Sequence, residues 1–159
     1  MDKARLRQAI IEKLQTELDN QTRAALLARD EATHEESKPE NKYDTHSQEA
    51  AYLAEGQARL AAELQESIAL YQSLAMSDFS AGQPATLGAV VTVETAGRKL
   101  RYLLGPRNGG LEIHCDGLDL IVITPQSPLG RLLLGKRAGD VLTTQSAGRT
   151  IKQQILAVE

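Results

Sequence analysis

The sequence has no tryptophan, one phenylalanine and four tyrosines among its 159 residues. With 42% apolar residues, such a chain can bury a modest core, but not one spread evenly along its length. A part that protrudes and has little core of its own fits that profile. Cys115 is the sole cysteine. That excludes an intramolecular disulfide and accords with a reducing compartment. No stretch approaches the ~18 consecutive apolar residues of a membrane span, and the charged start MDKARLRQAIIEKL has no apolar signal core. A soluble, cytoplasmic protein is expected. A basic patch is missing too, since 18 basic and 21 acidic residues are mixed along the chain, for a net charge of −3. Binding to free duplex nucleic acid asks for a basic face. A protein partner, or a place inside a larger assembly, is the better expectation.

Glycine and proline are absent from Asp2 to Glu36, where good helix formers dominate. Arg7, Ile11, Leu14, Leu18, Gln21, Ala25, Ala28 and Ala32 fall at alternating spacings of four and three, the a/d pattern of a coiled-coil seam. The pattern resumes at Ala50, Ala54, Gln57, Ala61, Leu64, Ile68, Tyr71 and Ala75, after a helix start that Asp44 or Thr45 is suited to cap, with Glu49 placed for a capping box. In the first arm leucine and isoleucine come early and alanine late, and in the second arm the order is reversed. Folded back as an antiparallel pair, the two arms have one taper, narrowing toward the segment between them. Gly56 is the weak point of the second arm.

That segment, His34 to Asp44, carries four carboxylates (Glu35, Glu36, Glu40 and Asp44) and the helix-breaking Pro39. It reads as the tip of a helical hairpin. Acids in number suit either a metal site or an ordinary solvated loop. His34, Glu35 and His46 have no spacing of a known zinc type.

Ser77 to Pro84 is a Ser/Gly/Pro-containing break, and beyond it the pattern turns from helical to alternating. Strands are expected at Leu87–Glu94, Arg98–Leu104, Leu111–His114, Leu118–Ile123, Val141–Thr144 and Thr150–Val158, with turns at Ala96-Gly97 and Asp116-Gly117. Ser127 is a good N-cap, Pro128 suits the first helical position, and Gly135 suits a helix end. This predicts a two-turn helix whose apolar face is Leu129, Leu132 and Leu133. His114 and Cys115 are neighbours on a strand and point to opposite faces, which makes a core cysteine rather than a Cys-His pair. The fold class is α+β: an N-terminal antiparallel coiled-coil hairpin over 1–76 with its tip at 35–44, a linker over 77–84, and a small antiparallel sheet with one short helix over 85–159.

The run Ser127-Pro-Leu-Gly-Arg-Leu-Leu-Leu-Gly-Lys-Arg-Ala-Gly-Asp-Val141 resembles the signature of the bacterial Gre-type transcription elongation factors. Glu40-Asn41, with Tyr43 after it, resembles the family's tip, and the resemblance spans essentially the whole chain. It implies a C-terminal domain of FK506-binding-protein-like fold that docks on core RNA polymerase beside the secondary channel. The hairpin would then enter that channel, with indirect contact to the nucleic acid of the transcription complex. The resemblance puts Glu36, Glu40, Asn41 and Asp44 near the polymerase active site. It makes Ser127, Pro128, Gly130, Arg131, Gly135, Lys136 and Asp140 the partner-binding set. In cleavage-competent members two tip acids help hold a catalytic magnesium. Here Ser37 stands where the family has the first acid, Pro39 intervenes, and Glu40 remains as the second.

The expectation is therefore a non-enzymatic, monomeric factor with no cofactor and no metal of its own, Glu40 at most assisting a polymerase magnesium. It would modulate elongation or initiation with weak or no stimulation of cleavage. The alternatives are a true transcript-cleavage factor and a clamp-like or chaperone-like hairpin protein unrelated to polymerase. Prolyl isomerase activity needs an aromatic-lined pocket, and this domain offers only Tyr102.

Overall fold

The structure, a computed structural model, describes residues 1–33, 46–76, 78–80, 82–146 and 149–159, and the side chains of all of these except 46, 47, 145, 146 and 149. The described chain forms two compact units, one of Ile11–Ala69 and one of Met1–Ile10 with Leu70–Glu159.

Two long helices make up the first unit and reach into the second: α1 over Lys3–Thr33 and α2 over His46–Ser73. Asp2 caps α1, its carboxylate accepting from the backbone N–H groups of Ala4 at 2.9 Å and Arg5 at 3.1 Å, two donors that a helix start leaves without intrahelical partners. The start of α1 and the end of α2 belong to the same unit, so the helices run antiparallel. Burial follows the seam. Every predicted seam position from Arg7 to Ala32 and from Ala50 to Tyr71 is buried or half-buried, and most residues between them are exposed. Ala28 and Ala50 are as buried as Leu18 and Ile68, because small side chains let the backbones approach. They bury little area in doing so. Ala75 departs from the prediction. The helix stops at Ser73 and Ala75 is exposed, while the Leu74 carbonyl that a further turn would use accepts instead from the Arg7 guanidinium at 2.7 Å.

Six strands form a single sheet in the order β3-β4-β2-β1-β6-β5: β1 Val90–Thr95, β2 Arg98–Leu104, β3 Glu112–Cys115, β4 Leu118–Ile123, β5 Val141–Ser146 and β6 Arg149–Val158. A short helix, α3 over Pro128–Leu133, lies between β4 and β5. The strand expected from Leu87 starts at Val90, because Ala89 N–H closes a turn onto Thr86. The hairpin turns at Ala96-Gly97 and Asp116-Gly117 have both residues at positive φ, the two-residue form that matches strand twist. All neighbouring pairs are antiparallel except β2 with β4, which are parallel over Tyr102–Leu104 and Ile121–Ile123. β3 lies on the outer side of β4, so the chain passes β4's position before hairpinning back into it.

One face of the sheet carries Val91, Val93, Tyr102, Leu104 and Ile155 against Leu133 of α3. The other carries Val90 and Leu103, paired in register, with Val122 beside them, and all three are fully buried. Leu6, Ile10 and Tyr71, at the helix ends within the same unit, are fully buried as well. The Tyr71 hydroxyl and a Val122 methyl both adjoin Gly105, where a Cβ would not fit. Two sites tie the helix ends down. Lys3 is buried, donates to the main-chain oxygens of Gly88 at 3.0 Å and Glu159 at 2.6 Å, and lies 5.4 Å from the centre of the Phe79 ring. Burial holds its pKa below the ordinary lysine value. Tyr71 donates its hydroxyl to the Arg107 carbonyl at 2.7 Å.

Two measurements check this account. Gly56 lies inside α2 with nothing within 4 Å of where a Cβ would project. Gly56→Ala will therefore stabilise the helical unit by about 0.5–1 kcal/mol, read as a higher thermal midpoint by circular dichroism. Burial raises the Tyr71 pKa well above its ordinary 10.0. Above that pH the folded chain keeps a proton the unfolded chain releases, so stability falls by about 1.4 kcal/mol per pH unit from this group. Denaturant titrations across the alkaline range will show a shallower fall for Tyr71→Phe than for the wild type.

Candidate functional site

The residues expected to meet a partner are grouped around α3. Ser127 stands in extended conformation at its N-cap. Its hydroxyl accepts from Gly130 N–H at 3.0 Å and donates to the Thr124 carbonyl at 2.8 Å, which locks the helix start to the end of β4. Pro128 follows at the first helical position, where a missing N–H costs nothing. Gly130 is buried, and a Cβ there would overlap the Thr124 carbonyl. The helix lies so close to that backbone only because this position has no side chain.

The apolar face of α3 differs from the prediction in one residue. Leu133 is fully buried and Leu129 and Leu134 pack on the same core, but Leu132 is 38% exposed. In a helix this short, positions 129, 130 and 133 share the inner stripe, and Leu132 falls outside it.

Beyond the helix, Gly135 takes a left-handed conformation with φ of 75°. Its N–H donates to the Ala85 carbonyl at 2.8 Å, and the Lys136 carbonyl accepts from Ala85 N–H at 2.7 Å. Asp140 closes the next turn, its carboxylate accepting from Arg137 N–H at 3.0 Å, while its own carbonyl accepts from Ile155 N–H. The Arg137 guanidinium donates to the Gly82 carbonyl.

The predicted partner-binding set thus divides by what its side chains do. Ser127, Gly130, Gly135 and Asp140 shape the backbone. Pro128 and Arg131 are exposed, and Lys136 is half-buried. Arg137, beside Lys136, is tied to a backbone carbonyl, and Arg131 stands in the last turn of α3. Arg131 and Leu132 are exposed side chains of this segment, along with Pro128 and Arg137, and Lys136 is partly so.

The tip residues Glu36, Glu40, Asn41 and Asp44 lie outside the described residues, as do Ser37 and Pro39. Among the described residues no group of three His, Cys, Asp or Glu side chains is placed to hold a metal ion. His114 is exposed and hydrogen-bonded to Asp119 at 2.8 Å, whereas Cys115 is buried. They face opposite ways, and burial pushes the Cys115 thiol pKa up, away from a reactive thiolate. The sequence marks Tyr71 only as a seam position and does not mark Lys3 as an anchor. The signal available was helical spacing, with Lys3 one turn ahead of Leu6 and two turns ahead of Ile10 on a face wider than a coiled-coil seam.

Replacing Ser127 with Ala removes the cap and costs about 1–2 kcal/mol. Gly130→Ala forces side-chain volume against a backbone carbonyl and costs more, about 3 kcal/mol. Urea unfolding followed on the sheet unit will rank them in that order.

Residues 81–159 match the family described as transcription elongation factor, GreA/GreB, C-terminal. Comparison with curated proteins gave no match. Among solved structures, GreA factor homolog 1 (Gfh1) of Thermus thermophilus is 20% identical, with 94% of each chain covered and a TM-score of 0.39. Gfh1 of Thermus aquaticus is 24% identical, with 92% of each chain covered and a TM-score of 0.41. A GreA/GreB elongation factor from Nitrosomonas europaea is 19% identical over 65% of this chain and 78% of its own, with a TM-score of 0.38. The C-terminal part of this chain, residues 81–159, thus belongs to the GreA/GreB family of transcription elongation factors.

Proposed function

We propose that the chain binds core RNA polymerase at the secondary channel and inserts the segment between α1 and α2 towards the active site, modulating elongation or initiation without efficient stimulation of transcript cleavage. The observation that carries the reading is the combination of a GreA/GreB C-terminal domain with a tip sequence in which Ser37 and Pro39 precede Glu40. The domain gives the partner class. The tip gives the outcome, because magnesium prefers hard anionic oxygen ligands and a serine hydroxyl brings no charge. Lys38 and Lys42 dilute the local negative charge further. Arg131, Leu132 and Lys136 around α3 are the side chains offered to the polymerase rim. The factor forms no covalent bond with a substrate and holds no metal of its own, so its effect depends on where its tip sits. Occupying the channel without cleaving, it competes with factors that do cleave.

Glu40 favours the second reading, a cleavage factor proper, since it keeps one carboxylate at the family's tip position. Assays on arrested transcription complexes separate the two. The proposal expects stable binding to core polymerase and cleavage at the intrinsic rate, unchanged by Glu40→Ala. Ser37→Asp then raises cleavage by roughly tenfold or more by restoring the missing acid. Stimulation by the wild type that Glu40→Ala abolishes would establish the second reading instead. Failure to bind core polymerase at all overturns both.

A further inference from the structure

Within the helical unit, α1 and α2 share an open groove of about 500 Å³ on one side of their seam. Leu26, Ala58 and Ala62 lie along it, and Leu26 is 47% exposed. Two charged residues border the groove, Arg29 from α1 and Glu55 from α2. The helices are antiparallel, so these two come at the same end, and Thr22 and Gln65 come at the other. Charges such as Lys13, Arg23, Arg59 and Glu63 fall outside it and are exposed. A leucine left open beside alanines, on a face with few charges, is the pattern of a helix surface that another helix covers.

We propose that the occupant is a second copy of this chain, paired groove to groove about a two-fold axis parallel to the helices. That operation sets α1 of each copy against α2 of the other at the same height, because it reverses left and right and leaves the direction of the helices unchanged. Arg29 then faces Glu55 of the second copy, and the contact occurs twice, as an isologous interface requires. Leu26 faces the small Ala58 and Ala62 of the second copy, a large side chain into a space bounded by methyl groups. Thr22 meets Gln65. Self-complementarity in both charge and size singles out a second copy over an unrelated helix. Within one copy, Arg29 pairs with its helix neighbour Asp30 at 3.5 Å, with both exposed. Among the described residues no ion pair joins it to Glu55. The product is a four-helix bundle of two hairpins, formed away from polymerase, and it stands or falls independently of the polymerase reading.

Sedimentation equilibrium of the full chain over a range of concentrations tests the pairing. The wild type is expected to pass from monomer to dimer as concentration rises. Arg29→Glu and Glu55→Arg each place like charges opposite one another twice, and each weakens dimerisation by roughly tenfold or more. The double reversal, Arg29→Glu with Glu55→Arg, restores it. All these positions are exposed, and circular dichroism checks that helix content is unchanged. Ala62→Arg, which fills the space for Leu26, gives a monomer by a route independent of the charge pair. A wild type that stays monomeric throughout, single reversals that leave dimerisation unaltered, or a double reversal no better than the singles overturns the proposal.

Discussion

A strand buried on both of its faces needs cover on both sides, and β1 makes that demand of the whole sheet unit. Val90, Val91 and Val93 are fully buried and Thr92 nearly so. One side is met by α3, which brings Leu133 onto Val91, Val93 and Leu104. On the other, Val90, Leu103 and Val122 are as deeply buried as Leu6, Ile10 and Tyr71 in the helix ends. The helix ends belong to the same unit as the sheet and are joined to it by Lys3 and Tyr71, two polar groups buried only because each finds a backbone oxygen. An unpaired buried donor would cost about 1–3 kcal/mol, so these hydrogen bonds are conditions of the packing.

The same demand explains the signature segment. A two-turn helix has too little hydrogen bonding of its own to persist in water. It is held by Ser127 on the Thr124 carbonyl, by Gly130 pressed onto that same carbonyl, and by Ala85 bonded on both sides of Gly135. Most of what looks like a recognition sequence is spent on placing this helix. The few side chains it turns outward take no part in that placement, so this signature marks a fold more faithfully than it marks a binding surface.

The helical unit follows a different rule. Its seam is held by leucine, isoleucine and tyrosine toward the start of α1 and the end of α2, and by alanine farther along. Stability should thus fall off along its length, since each alanine buries little. Its alanines also leave a shallow groove at its flank, where Leu26 stays about half-exposed among the described residues.

The sequence by itself determined the two helices, their seam and its taper, all six strands to within a few residues, and the cap, proline and glycine of α3. These are local matters of periodicity, capping and turn chemistry, and each is written within a few residues of where it acts. The resemblance to the Gre-type family, also carried by the sequence, implies that Ser37 stands in the place of an acid. Only the tertiary structure decided that β2 and β4 run parallel, that α2 ends before Ala75, and that Leu132 points outward while Leu133 points in. It alone revealed that Lys3 is a buried anchor and that Ser127, Gly130 and Asp140 shape backbone. Each of these depends on groups brought together from distant parts of the chain: Lys3 with Gly88, Arg7 with Leu74, α3 with the body of the sheet. No local pattern encodes which residue will meet another 85 positions away. That is settled by which arrangement leaves the fewest apolar groups exposed and the fewest buried polar groups unpaired.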